Sequence, residues 1–135
     1  MLKTEQDIER DFFKMLNESE LAEQIHGKVY RSEMRPYNSK DEDCVITFIS
    51  GLDEQVQTGV VSIDVYVPDT HTVDGRSVAD KPRIGELQTL LLKFVHDNSS
   101  TEYDMSSETS PRTVFNEDIQ QHFIYYRVKF NRINA

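Results

Sequence analysis

Residues 122–131 (HFIYYRVKFN) alternate between two unlike faces, with Ile124, Tyr126, Val128 and Phe130 on one and Phe123, Tyr125, Arg127 and Lys129 on the other. Successive side chains of extended backbone point to opposite sides, so a period of two rich in aromatic and β-branched residues predicts a half-buried strand. At about ten residues it is long for one. Its second face is not ordinary solvent-facing polar, because two aromatics and two cations there suggest a surface that another body covers. The pattern speaks to assembly more than to catalysis.

A second alternating run spans residues 55–67, placing Val61, Ile63, Val65 and Val67 opposite Ser62, Asp64 and Tyr66. Residues 44–50 precede it as another apolar strand, and the short link between them makes an antiparallel hairpin the economical connection. Helical spacing appears twice. Thr4 followed by Asp7 resembles a capping box before the stripe Ile8, Phe12, Met15 and Leu16. Ile84, Leu87, Leu91, Phe94 and Val95 form the clearest amphipathic helix, expected over about residues 83–96. A short helix through Leu21, Ala22 and Ile25 should end at Gly27, a residue type suited to a left-handed cap. Short strands are expected at 28–31, within 98–111 and at 112–115. Segments 32–43 and 69–82 read as exposed loops without apolar anchors. The expected core is Ile8, Phe12, Leu16, Val61, Ile63, Val65, Leu87, Leu91, Phe94, Ile124, Val128 and Phe130.

The chain has 135 residues, which fits one domain over 1–135 with one sizeable core. Asp and Glu number 24 against 15 Lys and Arg, for a net charge of −9. Such a chain repels itself and makes free DNA or an anionic membrane a poor partner, since phosphate binding needs a positive footprint. The charge is uneven: residues 1–26 are strongly acidic, whereas 119–135 carry Arg127, Lys129 and Arg132 and no acid. Opposite ends are therefore expected to attract, within one subunit or between neighbours. The N-terminus has early charges and no apolar stretch of a signal peptide, no run approaches a membrane span, and the lone Cys44 sits in an apolar segment. We therefore expect synthesis in, and initial residence in, a reducing cytoplasm, with Cys44 as a small buried side chain.

Motifs for catalysis are missing. The five glycines are scattered, no nucleophile elbow occurs, and the four histidines fall in four different predicted elements. The carboxylates of the first helix are expected on its solvent face, where nothing would tune them. Asp69, His71 and Asp74 are the best local metal candidate; lacking fixed geometry, they read instead as a solvated loop. We expect no catalytic residue, cofactor or metal.

The layout resembles the tail terminator and related head-tail joining proteins of long-tailed phages, in versions carried by prophages. The likeness rests on an N-terminal helix, a Gly-x-Val-Tyr strand start (Gly27, Val29, Tyr30) and an Arg-Pro loop (Arg35, Pro36). It continues through a Val-Tyr-Val-Pro hairpin exit (Val65 to Pro68), a long helix, and a terminal Phe-x-x-x-Arg-x-x-Phe strand (Phe123, Arg127, Phe130). It covers nearly the whole chain. The resemblance implies an α+β fold, a mainly antiparallel sheet with a long C-terminal strand packed by two main helices. It also implies a ring, hexameric in the family, that caps the tail tube, meets a head completion protein and lets DNA pass without specific binding. Its place would be the bacterial host cytoplasm during assembly and then the virion tail. On this reading Phe123, Tyr125, Arg127 and Lys129, with Asp41, Glu42 and Asp43 and with Asp69, His71 and Asp74, are the expected interface residues. Two other classes stay open: a small enzyme or ligand-binding domain with a site beneath 69–82, and a monomeric adaptor with a peptide-binding sheet edge.

Overall fold

The two long alternating segments become neighbours at the centre of one sheet. A computed structural model of the chain describes residues 1–100 and 102–133. In chain order the elements are α1 (Glu5–Asn17), α2 (Glu20–Gln24), β1 (Val29–Arg31), β2 (Cys44–Asp53) and β3 (Val56–Val67). They continue with β4 (Thr70–His71), β5 (Ser77–Val78), α3 (Lys81–Asn98), β6 (Tyr103–Ser107), β7 (Arg112–Asn116) and β8 (Gln121–Ile133). The main sheet runs β1-β2-β3-β8-β6, with β7 also on β8. It is the expected α+β arrangement, mainly antiparallel with a long C-terminal strand and two main helices. β1 is the exception, running parallel to β2 with Val29 opposite Cys44.

The β2–β3 hairpin forms as its patterning requires, with Ile46 opposite Ile63 and Phe48 opposite Val61. A bulge at Ile49 shifts the register beyond Phe48 and lets both strands extend further than the apolar run. β8 pairs with β3 along its whole length, Ile124 opposite Val65, Tyr126 opposite Ile63 and Val128 opposite Val61. Its other edge holds β6 and β7 in succession, Met105 opposite Phe130 and Val114 opposite Phe123.

All three helices pack on one face of this sheet. Thr4 caps α1 with the full capping box, its hydroxyl accepting from Asp7 N–H while the Asp7 carboxylate accepts from Thr4 N–H, both at 3.1 Å. The α1 stripe Ile8, Phe12 and Leu16 meets Leu87, Leu91 and Phe94 of α3 and the inner sheet rows in a single cluster. Every expected core residue is buried there. Leu21, Ile46, Val67, Ile84, Tyr103 and Tyr126 join it, and Phe12 packs edge-on to Tyr103 at 5.2 Å between ring centres. Cys44 is buried as expected, and burial pushes its thiol pKa up.

Several expectations need correction. Gly27 is not a left-handed cap, since α2 ends at Ile25 in extended backbone and, among the described glycines, only Gly75 has a positive φ. Gly27 is needed for close approach instead, because a Cβ there would lie 2.1 Å from Asp43 Oδ1 and 2.5 Å from Glu42 O. The acidic triplet is not an exposed loop. Asp41 is exposed, but Glu42 and Asp43 are 3% and 1% exposed and bonded inside the fold. Charge-assisted hydrogen bonds order that segment where apolar anchors are lacking. Nor is 69–82 a structureless loop, because β4 and β5 pair in a small hairpin arm and α3 begins at Lys81. Asp80 caps α3 through Arg83 N–H, and Pro82 fits the first turn, where its missing N–H leaves no bond broken. Glu9 of α1 is buried too, accepting from Arg31 Nε at 2.9 Å.

Leu91 is fully buried, so Leu91→Ala should cost about 2–5 kcal/mol in urea unfolding, with an unchanged denaturant slope if the native state stays compact. Asp43→Ala should cost about 3–5 kcal/mol, because it strands Arg35 in a site where that side chain is only 11% exposed. Burial opposes ionisation of Asp43, but bonds from Ser39, Lys28 N–H and Arg35 outweigh it and hold its pKa below the usual value. Its contribution is therefore complete above the ordinary Asp pKa of about 4 and lost as pH falls below it, so wild type and variant should converge in stability on acidification.

Candidate functional site

The sheet face away from the helices is made by the residues that alternate with the core rows. Tyr30, Val45, Asp64, Tyr125 and Arg112 form one row across it, each opposite the next in register. Tyr66, Phe123 and Val114 form the next row, and Thr47, Ser62 and Arg127 the row on the other side. Phe123, Tyr125 and Arg127 are partly buried and Lys129 is exposed. None of the described helices covers them.

One end of the face is a stack. Arg35, from the 32–43 segment, lies 3.9 Å above the Tyr66 ring, and Tyr66 stacks on Phe123 with ring centres 5.3 Å apart. Arg35 is fixed by Asp43 at 2.9 Å and also donates to Gln121 Oε1 at 3.2 Å. Asp43 accepts from Ser39 at 2.6 Å and from Lys28 N–H at 2.9 Å. The expected interface acid thus serves inside the chain by holding the cation that tops the stack.

The middle of the face holds a lone acid. Asp64 stands on the central strand between Val45 and Tyr125, and its Oδ1 is closed to solvent with no hydrogen-bond partner. Burial alone pushes its carboxyl pKa up to about 7. Arg127, one row away, has its Nε closed to solvent and unbonded as well, lying 3.1 Å from Glu108 Oε1 without hydrogen-bond alignment. Asp64 and Arg127 thus carry desolvated polar atoms on neighbouring rows, Arg127 beside the Glu108 carboxylate and Asp64 beside no partner. Sequence reading missed Asp64. Its signal was a lone acid in the middle of a strand of β-formers.

The remaining expected site residues are scattered. Glu42 grips Arg83 through two bonds of 2.6 and 2.9 Å and accepts from His26 N–H at 3.1 Å. Asp69 accepts from Ser77 at 2.8 Å and contacts His122 Nδ1 at 2.6 Å, latching the arm to the start of β8. Asp74 bonds Thr72 and Arg76 at the arm tip, and His71 is exposed on β4. Asp69, His71 and Asp74 therefore do not converge, and no group of three donors suited to a metal occurs among the described residues. A cleft of about 350 Å3 does lie beneath the arm, lined by His26, Glu42, Asp69, His71, Asp80 and Arg83. Four of these, Glu42, Asp69, Asp80 and Arg83, are already bonded within the chain.

No protein-family model matches the sequence, and no curated protein is significantly similar to it. No helix among the described residues is long and apolar enough to cross a membrane.

Asp64 has a folded pKa above its unfolded value, so the folded state holds the extra proton between about pH 4 and about 7, and stability falls as pH rises through that window. Asp64→Asn should abolish that slope and raise stability above neutrality by about 1–3 kcal/mol. Chemical unfolding of both proteins across this range measures it, and parallel pH profiles would refute the desolvated carboxyl.

Proposed function

We propose that the chain is a structural subunit that acts by assembling, in the head-tail joining role that its sequence resemblance implies: a ring-forming cap on the tail tube of a phage. The observation that supports this reading is the uncovered sheet face. Tyr, Phe and Arg are enriched where proteins meet, and Tyr66, Phe123, Tyr125 and Arg127 concentrate them on one sheet face. Lys129 is exposed there in a chain of net charge −9. A neighbouring subunit or the tube protein covers the face, and acidic surfaces elsewhere on the chain suit passage of DNA through a lumen, because like charge keeps the genome off the wall. The acids open to a neighbour differ from a simple count of α1, since Asp7, Glu9 and Asp11 are already paired within the chain. Glu5, Glu18 and Glu23 remain exposed.

An aromatic face of this kind suits a macromolecule, whereas a small substrate favours a concave site. The cleft beneath the arm supports the second reading, a ligand-binding domain. It is the weaker one, since much of its charged lining is engaged by the fold.

Lys129→Glu tests the assembly role, as an exposed change that should leave stability within about 0.5 kcal/mol of wild type. Wild type incubated with tail tubes should form particles that are a multiple of 15.7 kDa and complete the tails, and the variant should fail at both. A folded variant that completes tails as well as wild type would overturn the role given to this face.

A further inference from the structure

Two stretches of the main sheet are open edges. β1 covers β2 only at Cys44–Ile46, and further on Ile49 to Asp53 are exposed, with β3 on one side and, among the described residues, no strand on the other. β7 is the second edge. It pairs with β8 alone, has no buried residue, and leaves Val114 38% and Phe115 43% exposed. Such an edge presents a row of N–H and C=O groups that another extended backbone takes up in series. Bonds already made fix the phase of each row. Tyr66 N–H donates to Asp43 O, so alternate β3 residues face β2; beyond the bulge, Ser50 and Leu52 bond to β3 while Gly51 and Asp53 turn their backbone groups outward. Glu108 N–H donates to Arg127 O, so in the same phase Phe123 and Tyr125 bond to Val114 and Arg112, and Thr113 and Phe115 turn outward. Antiparallel pairing of the outward groups sets Gly51 opposite Phe115 and Asp53 opposite Thr113, with Leu52 against Val114 between them on the helix-free side. Leu52 is 65% exposed, so the match covers apolar surface of both edges. Gly51 has no side chain to obstruct the Phe115 ring. The Arg112 side chain, which has no partner among the described residues, arrives at the acidic Asp53 end of β2. These features select the occupant, since pairing β2 with β2 or β7 with β7 leaves the other edge bare, whereas β2 of one copy with β7 of the next satisfies both edges at once.

We propose that the β2 edge of one copy takes up β7 of the next, antiparallel and head to tail, so that the sheet runs on from subunit to subunit. β7 lies at the Gln121 end of β8, whereas Gly51 is level, through Gly59, with Phe130 near its other end. Successive copies are therefore staggered along the strands, the offset that tilts strands where a sheet closes into a barrel. The contact uses the edges and not the open face, so it goes beyond the role proposed above and does not depend on it.

A cysteine pair tests register and partner together. Leu52→Cys and Val114→Cys change exposed residues whose backbone groups bond inward, so the two meet as a non-hydrogen-bonded pair, the kind whose side chains come closest, while the natural Cys44 is buried. Under mild copper-phenanthroline oxidation the double variant should give linked copies at successive multiples of 15.7 kDa on a non-reducing gel, and the two single variants mixed should give dimers of one of each. Either single variant alone should stay unlinked, because it links only where like edges meet. An unlinked double variant, or single variants that link as readily as their mixture, would overturn the proposal. Thr113→Pro is the second test. The proline removes an outward N–H and spares the bonds to β8, so the variant should keep its circular dichroism spectrum while light scattering finds self-association weakened about tenfold or more against wild type. Wild type that stays at the monomer mass, or a folded Thr113→Pro variant that associates as wild type does, would also overturn the edge contact, and neither result bears on the Lys129→Glu test of the open face. Where Thr113→Pro does not fold, the cysteine pair decides.

Discussion

The antiparallel ladder between β3 and β8 is the constraint on which the rest of the molecule hangs. It runs from Val67 opposite His122 to Gln57 opposite Arg132, and its period of two assigns every side chain on both strands to one face. Ile63 with Tyr126 and Val61 with Val128 become the floor on which α1 and α3 sit. A slip of one residue would put these under solvent and bring Asp64, Arg127 and Lys129 into the helical layer, at a cost no repacking could offset. Register is therefore strongly specified. The composition of the open face follows from the same ladder, since whatever alternates with the core rows must appear there.

Charge does different work at the two ends of the sheet and in its middle. Where β1 enters and α3 begins, Glu42 and Asp43 lock the 32–43 crossover to Arg83, Arg35 and the Lys28 amide. At the opposite end Lys3 bridges Asp11 and Glu102, while Arg132 reaches Gln57 Oε1 and the Met1 carbonyl, tying the N-terminus to the last strand. The buried pairs among these, Glu42 with Arg83 and Asp43 with Arg35, specify geometry more than they stabilise, because desolvation offsets much of their attraction. Asp64 has the desolvation without the partner. A Thr or Val at that position would suit the strand better.

Periodicity made the helices, the β2–β3 hairpin and the two faces of β8 readable, because it is a local property of a few consecutive residues. The core was legible for the same reason, down to Phe12, Leu91 and Phe130. Long-range pairing was not. Glu42 finds Arg83 forty-one residues away and Asp69 finds His122 fifty-three away, so acidic segments that looked solvated were anchored by partners no spacing rule reveals. Gly27 was misread because its reason lies in a crowded approach to Asp43 and not in its own dihedral angles. Of the expected interface residues, Phe123, Tyr125, Arg127 and Lys129 share the uncovered face, whereas Glu42, Asp43 and Asp69 proved to be internal fasteners. Tyr103 entered the core from a segment whose Ser- and Thr-rich surroundings masked it.

The functional readings make different demands on shape. A catalytic or small-ligand site gathers polar groups around a hollow, and the hollow beneath the β4–β5 arm has Glu42 and Arg83 neutralising each other on its wall. The helix-free face has a different character, with Tyr66 stacked on Phe123 and a solvent-closed Asp64 oxygen that has no hydrogen-bond partner. At the centre of that face, Asp64 Oδ1 is closed to solvent without a hydrogen-bond partner, and this desolvation is what raises its pKa.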